Sequence, residues 1–342
     1  MKNLFTLISA VLISVIILSG DVFAAGYSAK INVFSNYKPL GQQPFAFFID
    51  FKKEINPESL KMTPVDPKEK DIKIPVYAVP LSKYKAIIYF IPHQKMDEDS
   101  ELNYVLTFAD GKWDGKAAGD EALKKDIESR PNLIPNYSFE KVYKAQERFL
   151  TWNGETEVAD WRLLDYSYQF ASLENPDSTC RVCTQEAVHG LRSLCFKSGK
   201  PCKIKSRNEL VSGSAYSLKD IVLKPNTVYK LSFFLKIAKR FDNGMNFQGV
   251  GVSMTLLNNE NKALPGGIIS ALYSINTKDQ DEYLNKWVYV QMSDITPQGT
   301  SFGRINIAEK ISGTTYVDMI ELREIKENAL PEIIVEEIKT EK

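Results

Sequence analysis

The sequence predicts an all-β protein of two successive β-sandwiches, and three observations point there. Runs rich in β-branched and aromatic residues recur about every ten residues from Ile31 to Phe108, broken by proline and charged turns. Between residues 109 and 130 that periodicity stops. After Asn132 it resumes, with alternation of apolar and polar positions that sends successive side chains to opposite faces of a strand.

The chain opens with "MKNLFTLISAVLISVIILSGDVFA", a lysine, an apolar run from Leu4 to Leu18, and small residues, with Val22 and Ala24 set for cleavage after Ala24. Residues 1–24 therefore read as a signal peptide of an exported chain that begins at Ala25. An uncleaved anchor is the rival reading, and the run is barely long enough for it. No other segment could span a membrane, and no cysteine follows the run to take a lipid.

From 25 to 108, "AFFIDF", "IPVYAVPL", "KAIIYFIP" and "ELNYVLTF" read as strands of the first sandwich. Residues 109–130 mix glycine, alanine and charge and read as a linker, with a helical turn or two from Asp120 to Glu128. In the second sandwich, 131–325, "VYKLSFFLKI" puts Tyr229, Leu231, Phe233, Leu235 and Ile237 on one face. "LLDYSYQF", "GVGVSMTLL", "KWVYVQM", "GRINIAE" and "TTYVDMIELREI" are further strands. The charged tail, 326–342, is expected to be frayed or loosely docked.

Composition excludes some functions. The 43 basic and 43 acidic residues cancel, with no basic stripe, so nucleic acid is not an expected partner. Only His93 and His189 could supply a histidine base, and neither lies in a nucleophile motif. "GVGVSM" lacks the G-x-S-x-G elbow, no phosphate loop is present, and acidic clusters such as "DEDSE" read as solvated loops. No catalytic residue is assigned, and the protein is expected not to be an enzyme.

Four cysteines, Cys180, Cys183, Cys195 and Cys202, lie in one short segment. An even, clustered count in an exported chain favours two disulfides, with three pairings open. A zinc site would need a second C-x-x-C that is missing, and free or redox thiols are the third reading.

Two resemblances add to this. "IDFKKEINPESLKMTPVD" with "MDEDSELNYVLTF" resembles bacterial immunoglobulin-like envelope domains, which implies a spacer. In order, "NLIPNYSFEK", "DWRL", "HGLRSLCF", "LKPNTVYKLSFFLKI", "KWVYV" and "GTTYVDMIELREI" resemble CenC-like carbohydrate-binding modules, which have a galactose-binding-like jelly roll, over residues 132–325. That resemblance implies an exported, non-catalytic protein whose partner is a polysaccharide or cell-surface glycan. The alternative is an envelope structural or adhesion protein that contacts other proteins.

The same resemblance implies a structural calcium held by Glu140, Asp318 and main-chain carbonyls of the turn with His189 and Gly190. Two close carboxylates repel unless a hard cation sits between them. The rival reading is two separately solvated acids, and Met319 stands where the family often has a second acid. Sugar contacts need flat apolar faces, for which the candidates are Trp152, Tyr166, Tyr168 and Tyr273. Tyr166, Tyr168 and Phe170 read first as a core stripe, since alternating aromatics usually pack inward, and second as the floor of a cleft, while Trp161 and Trp287 match core positions of the family.

Overall fold

The computed structural model describes residues 26–35, 37–143, 157–164, 179–198, 202–204, 207–209, 214–240, 248–275, 284–310 and 313–340. The expected signal peptide and the candidates Trp152, Tyr166 and Tyr168 lie outside the described residues.

The first unit contains β1 (Gly26–Phe34), β2 (Phe45–Asp50), β3 (Ile55–Pro64), β4 (Val76–Pro80), β5 (Lys85–Phe90), β6 (Glu101–Asp110), β7 (Ala118–Gly119) and α1 (Glu121–Glu128). The second contains β8 (Val142–Tyr143), β9 (Glu157–Val158), β10 (Trp161–Leu164), β11 (Thr179–Cys183), β12 (Ser193–Ser198), β13 (Cys202–Ile204), β14 (Arg207–Glu209), β15 (Ser214–Ser217) and β16 (Ile221–Val222). It continues through β17 (Val228–Arg240), β18 (Gln248–Leu257), β19 (Ala263–Ile275), β20 (Trp287–Ile295), β21 (Phe302–Lys310) and β22 (Gly313–Glu324). Two last strands, β23 (Glu332–Val335) and β24 (Lys339–Thr340), follow.

The described chain is all-β apart from α1. In the first unit a sheet ordered β23-β1-β6-β3 faces one ordered β2-β5-β4-β7. Between them pack Ile31, Val33, Phe47, Phe51, Ile88, Phe90, Tyr104 and Leu106. The expectation of a frayed tail is corrected here. Ile31 pairs with Val335 and Val33 with Ile333, so the chain's end supplies an edge strand to the first sandwich. Ile333 and Val335 pack on its core, and Gln43 Nε2 donates to the carbonyl of Ala329 at 3.1 Å. The charge count concealed the reason, since "EIIV" carries an alternating apolar pair, Ile333 and Val335, that lies half-buried against the first core.

In the second unit the outer sheet runs β10-β15-β21-β18-β19, with β16 paired to β21, and the inner sheet runs β11-β12-β22-β17-β20. The chain passes back and forth between these sheets, as in a jelly roll. Leu231, Phe233, Leu235, Val252, Met254, Ile305 and Ile307 interdigitate in the core, which includes the whole face predicted for "VYKLSFFLKI".

The two sandwiches are packed face to face. Ala46, Phe48, Tyr77, Ile87 and Tyr89 from the back of the first meet Phe234, Met319, Val188, Trp287 and Tyr289 on the inner sheet of the second. The segment read as a linker joins this interface. Asp120 caps α1 by accepting from the Leu123 amide at 2.8 Å, and Leu123 and Ile127 are buried in the shared cluster. Burying a large apolar side chain is favourable by about 1.5–3 kcal/mol, so Phe234, Tyr89 and Ile87 make this an ordered contact.

Candidate functional site

With its back covered by the first sandwich, the second sandwich keeps the outer sheet's outer face open, its side chains exposed or half-buried. Register places a row across five strands of that face. Arg162 of β10 opposes Tyr216 of β15, Tyr216 opposes Asn306 of β21, Asn306 opposes Ser253 of β18, and Ser253 opposes Ser270 of β19. Directly opposed residues share a face, and these alternate with the buried Trp161, Ala215, Ile305, Ile307, Val252, Met254 and Ala271.

On one side of the row stand Arg304, Thr255 and Ile268, and on the other Ala308, Gly251 and Leu272. Ile268 and Leu272 are 57% and 53% exposed. Arg304 is held by a forked pair with Asp220, at 2.9 and 3.1 Å. The Arg162 guanidinium lies 5.9 Å from the centre of the Tyr216 ring. The face thus offers one aromatic ring, a side-chain amide, hydroxyls and guanidinium donors over a floor of small residues. Such a surface suits a ligand with both C–H faces and many hydroxyls.

Of the sugar contacts expected from sequence, Tyr273 alone lies among the described residues. It packs against the core and lines a cleft of about 920 Å³, not the exposed face. Phe48, Trp287, Gln291 and Asn328 also line that cleft, which opens between the sandwiches. Trp161 is core as expected, its ring 5.2 Å from Phe139 and its Nε1 donating to the Asn136 carbonyl at 3.3 Å. Trp287 belongs to the interface instead. Tyr216, Asn306, Ser253 and Arg162 were missed. Alternation in "GVGVSM" and "GRINIA" marks a polar face on each strand, but nothing in the sequence aligns the strands side by side.

Glu140, Gly190 and Asp318 do come together. Asp318 sits on β22 beside a bulge, where two residues, Met319 and Ile320, oppose Phe233 alone. Met319 takes φ +48°, which turns Asp318 and Met319 to the inner sheet's back while Ile320 returns to the core. Asp318, fully buried, accepts from the amides of Val188 at 2.9 Å, His189 at 3.1 Å and Met319 at 2.7 Å. Glu140 accepts from the amides of Leu191 at 2.9 Å and Arg192 at 2.8 Å, and the Arg192 guanidinium stands 3.4 Å away. Both acids therefore grip one turn, residues 188–192. Burial pushes the Asp318 carboxyl up to about 8 against the pull of the three amides, and Glu140 adds to the rise.

Calcium fits this arrangement by donor type only. The turn presents N–H groups, not carbonyls, to the two acids, and those donors occupy the carboxyl oxygens that the resemblance assigns to a cation. Among the described residues no cluster of three or more acids, histidines or cysteines joins them. The residues as they stand do not fit a calcium ion unless the turn rotates.

The cysteines are sorted by the β11-β12 ladder. Cys180 opposes Phe196 and points into the core, whereas Arg181 opposes Cys195, which puts Cys195 and Cys183 on the other face. Cys180, Cys183 and Cys195 are thiols in this structure, so the disulfides expected among them are not formed, and the side chain of Cys202 lies outside the described residues. The ladder disfavours the two pairings that join Cys180 to Cys183 or to Cys195.

Among the described residues no helix is long and apolar enough to cross a membrane. No family model matches the chain, and no curated protein matches it. Solved structures do. The enzymatically active domain of bacteriophage CBA120 tailspike protein 4 is 15% identical with a TM-score of 0.35, covering 57% of this chain and 21% of that one. The CBM22-1 and GH10 modules of Clostridium thermocellum endo-1,4-β-D-xylanase 10B, complexed with xylohexaose, are 14% identical with a TM-score of 0.32, covering 49% and 26%. TmCBM61 in complex with β-1,4-galactotriose is 12% identical with a TM-score of 0.32, covering 57% and 99%. This chain spans roughly a quarter or less of the first two.

Proposed function

We propose that the protein binds a polysaccharide, without catalysis, on the exposed face of the outer sheet. The carrying observation is the row Arg162, Tyr216, Asn306, Ser253 and Ser270, aligned by register across five strands. Tyr216 supplies a ring for the C–H face of a pyranose, and Asn306 both donates to and accepts from its hydroxyls. Export, as the apolar leader suggests, places the protein where such glycans occur. Calcium at Glu140, Gly190 and Asp318 belongs to the proposal only as a site reached by rotation of the turn.

Native affinity electrophoresis through gels containing a panel of polysaccharides tests this reading. At least one glycan should retard the folded chain. Tyr216→Ala should lower its affinity about tenfold, roughly 1.4 kcal/mol. A folded chain retarded by none of the panel, or a Tyr216→Ala variant retarded like the parent, sinks the assignment.

The cleft between the sandwiches favours a second reading, contact with an envelope protein, because Met292 and Ile334 lie exposed along it. Under that reading Met292→Lys abolishes a protein contact and leaves glycan retardation untouched.

A further inference from the structure

The hairpin that carries the gripped turn also carries a pair of thiols. β11 ends at Cys183 and β12 begins at Ser193, with the turn 184–192 between them. Cys183 opposes Ser193, so Cys195 stands two residues along on the same face, a diagonal neighbour. The register thus sets the two thiols side by side across the ladder. Cys183 Sγ also lies 3.5 Å from the Ser193 hydroxyl. Tyr316 opposes Cys195 on β22, and its hydroxyl donates to Gln185 at 3.4 Å, so two strands and the turn bring polar groups beside the pair.

We propose that Cys183 and Cys195 form a redox-active dithiol that exchanges with small-molecule or protein disulfides and closes into a staple across the hairpin. Cys183 is the attacking member. It is only half-buried, whereas Cys195 is buried. The hydrogen bond from Cys195 is the largest influence lowering the Cys183 thiol to about 6, with Ser193 and the amides of Gln185 and Glu186 acting in the same direction against burial. The same contact, with burial, pushes Cys195 up.

In the exchange, the Cys183 thiolate attacks one sulfur of the incoming disulfide. That S–S bond breaks, a mixed disulfide forms and one thiolate leaves. Cys195 then gives up its proton and attacks the Cys183 sulfur, which releases the second thiolate. The chain loses two electrons and two thiol hydrogens, and the reagent ends as two thiols. Closure ties together the two ends of the turn that Glu140 and Asp318 hold, so the oxidised state confines the hairpin that the acids already grip. This proposal does not depend on glycan binding.

Incubating the full chain with oxidised glutathione, then blocking remaining thiols and mapping peptides by mass spectrometry, tests it. The expected main product is a Cys183–Cys195 cross-link, about two mass units lighter than the dithiol. Cys195→Ser should trap glutathione on Cys183, and Cys183→Ser should leave Cys195 labelled about tenfold more slowly. No cross-link, a main product that uses Cys180, or equal labelling in the two variants overturns the assignment. The unsubstituted chain decides the question even where a variant fails to fold.

Discussion

Gly190 sits at φ +65°, and a β-carbon built there would lie 2.4 Å from a carboxylate oxygen of Glu140. Both the left-handed backbone and the close carboxylate require glycine. Gly190→Ala should therefore cost about 1–3 kcal/mol, read as a lowered urea midpoint at unchanged slope. Asp318 carries a pH dependence whose sign follows from its environment. Its carboxyl rises from the ordinary 3.8 to about 8 in the folded chain, chiefly through burial. Between those values the folded state holds a proton that the unfolded state has released, so stability falls as pH climbs from about 4 to about 8. Urea midpoints across that range, in chelator, should decline, and Asp318→Ala should flatten the slope. A midpoint that instead rises on adding calcium at fixed pH would show that the turn rotates to admit the ion. The residue types here were legible, since "SFEK" and "YVDM" flagged both acids. The resemblance also pointed to the turn at His189 and Gly190, but that this turn offers amide donors and not carbonyls was not legible, because the orientation of its backbone is set by the fold.

At the scale of elements, the tail carries the clearest difference between composition and structure. A segment that reads as charged and frayed provides two strands to the first sandwich, with Ala329 buried in its core. Truncation after Ile325 should expose β1 along one edge and lower the melting temperature by several degrees; an unchanged melt would mean that the edge strand adds nothing. The exposed row on the outer sheet is likewise an element-scale property. Each strand's alternation was readable, yet Tyr216 lies in the short stretch "SAYS" and Asn306 in "GRINIA", and only the ladder sets them opposite one another.

For the whole molecule, the shared cluster around Phe234 joins the sandwiches. Phe234 packs edge-on against Phe48 at 5.0 Å and near Tyr289 at 4.9 Å, with no exposed surface. Phe234→Ala should cost about 3–5 kcal/mol and split one calorimetric transition into two; a single unchanged transition would show that the sandwiches unfold independently of this contact. A signal for this packing was present in the sequence. "KAIIYF" is apolar on both faces of its strand, with Ala86, Ile88 and Phe90 in the first core and Ile87 and Tyr89 in the interface. Unbroken apolar runs of this kind mark strands covered on both sides, whereas strict alternation marks strands with one face free.

The sequence by itself determined the all-β class, the core face of "VYKLSFFLKI" and the α1 turns, because each is set by local periodicity or by neighbours a few residues away; the acids at 140 and 318 were marked only through resemblance to a family. Only the tertiary structure decided which sheet face stays exposed, where the tail docks, and which thiols share a face. Those depend on strand order and register, which bring together residues separated by scores of positions and leave no local pattern behind.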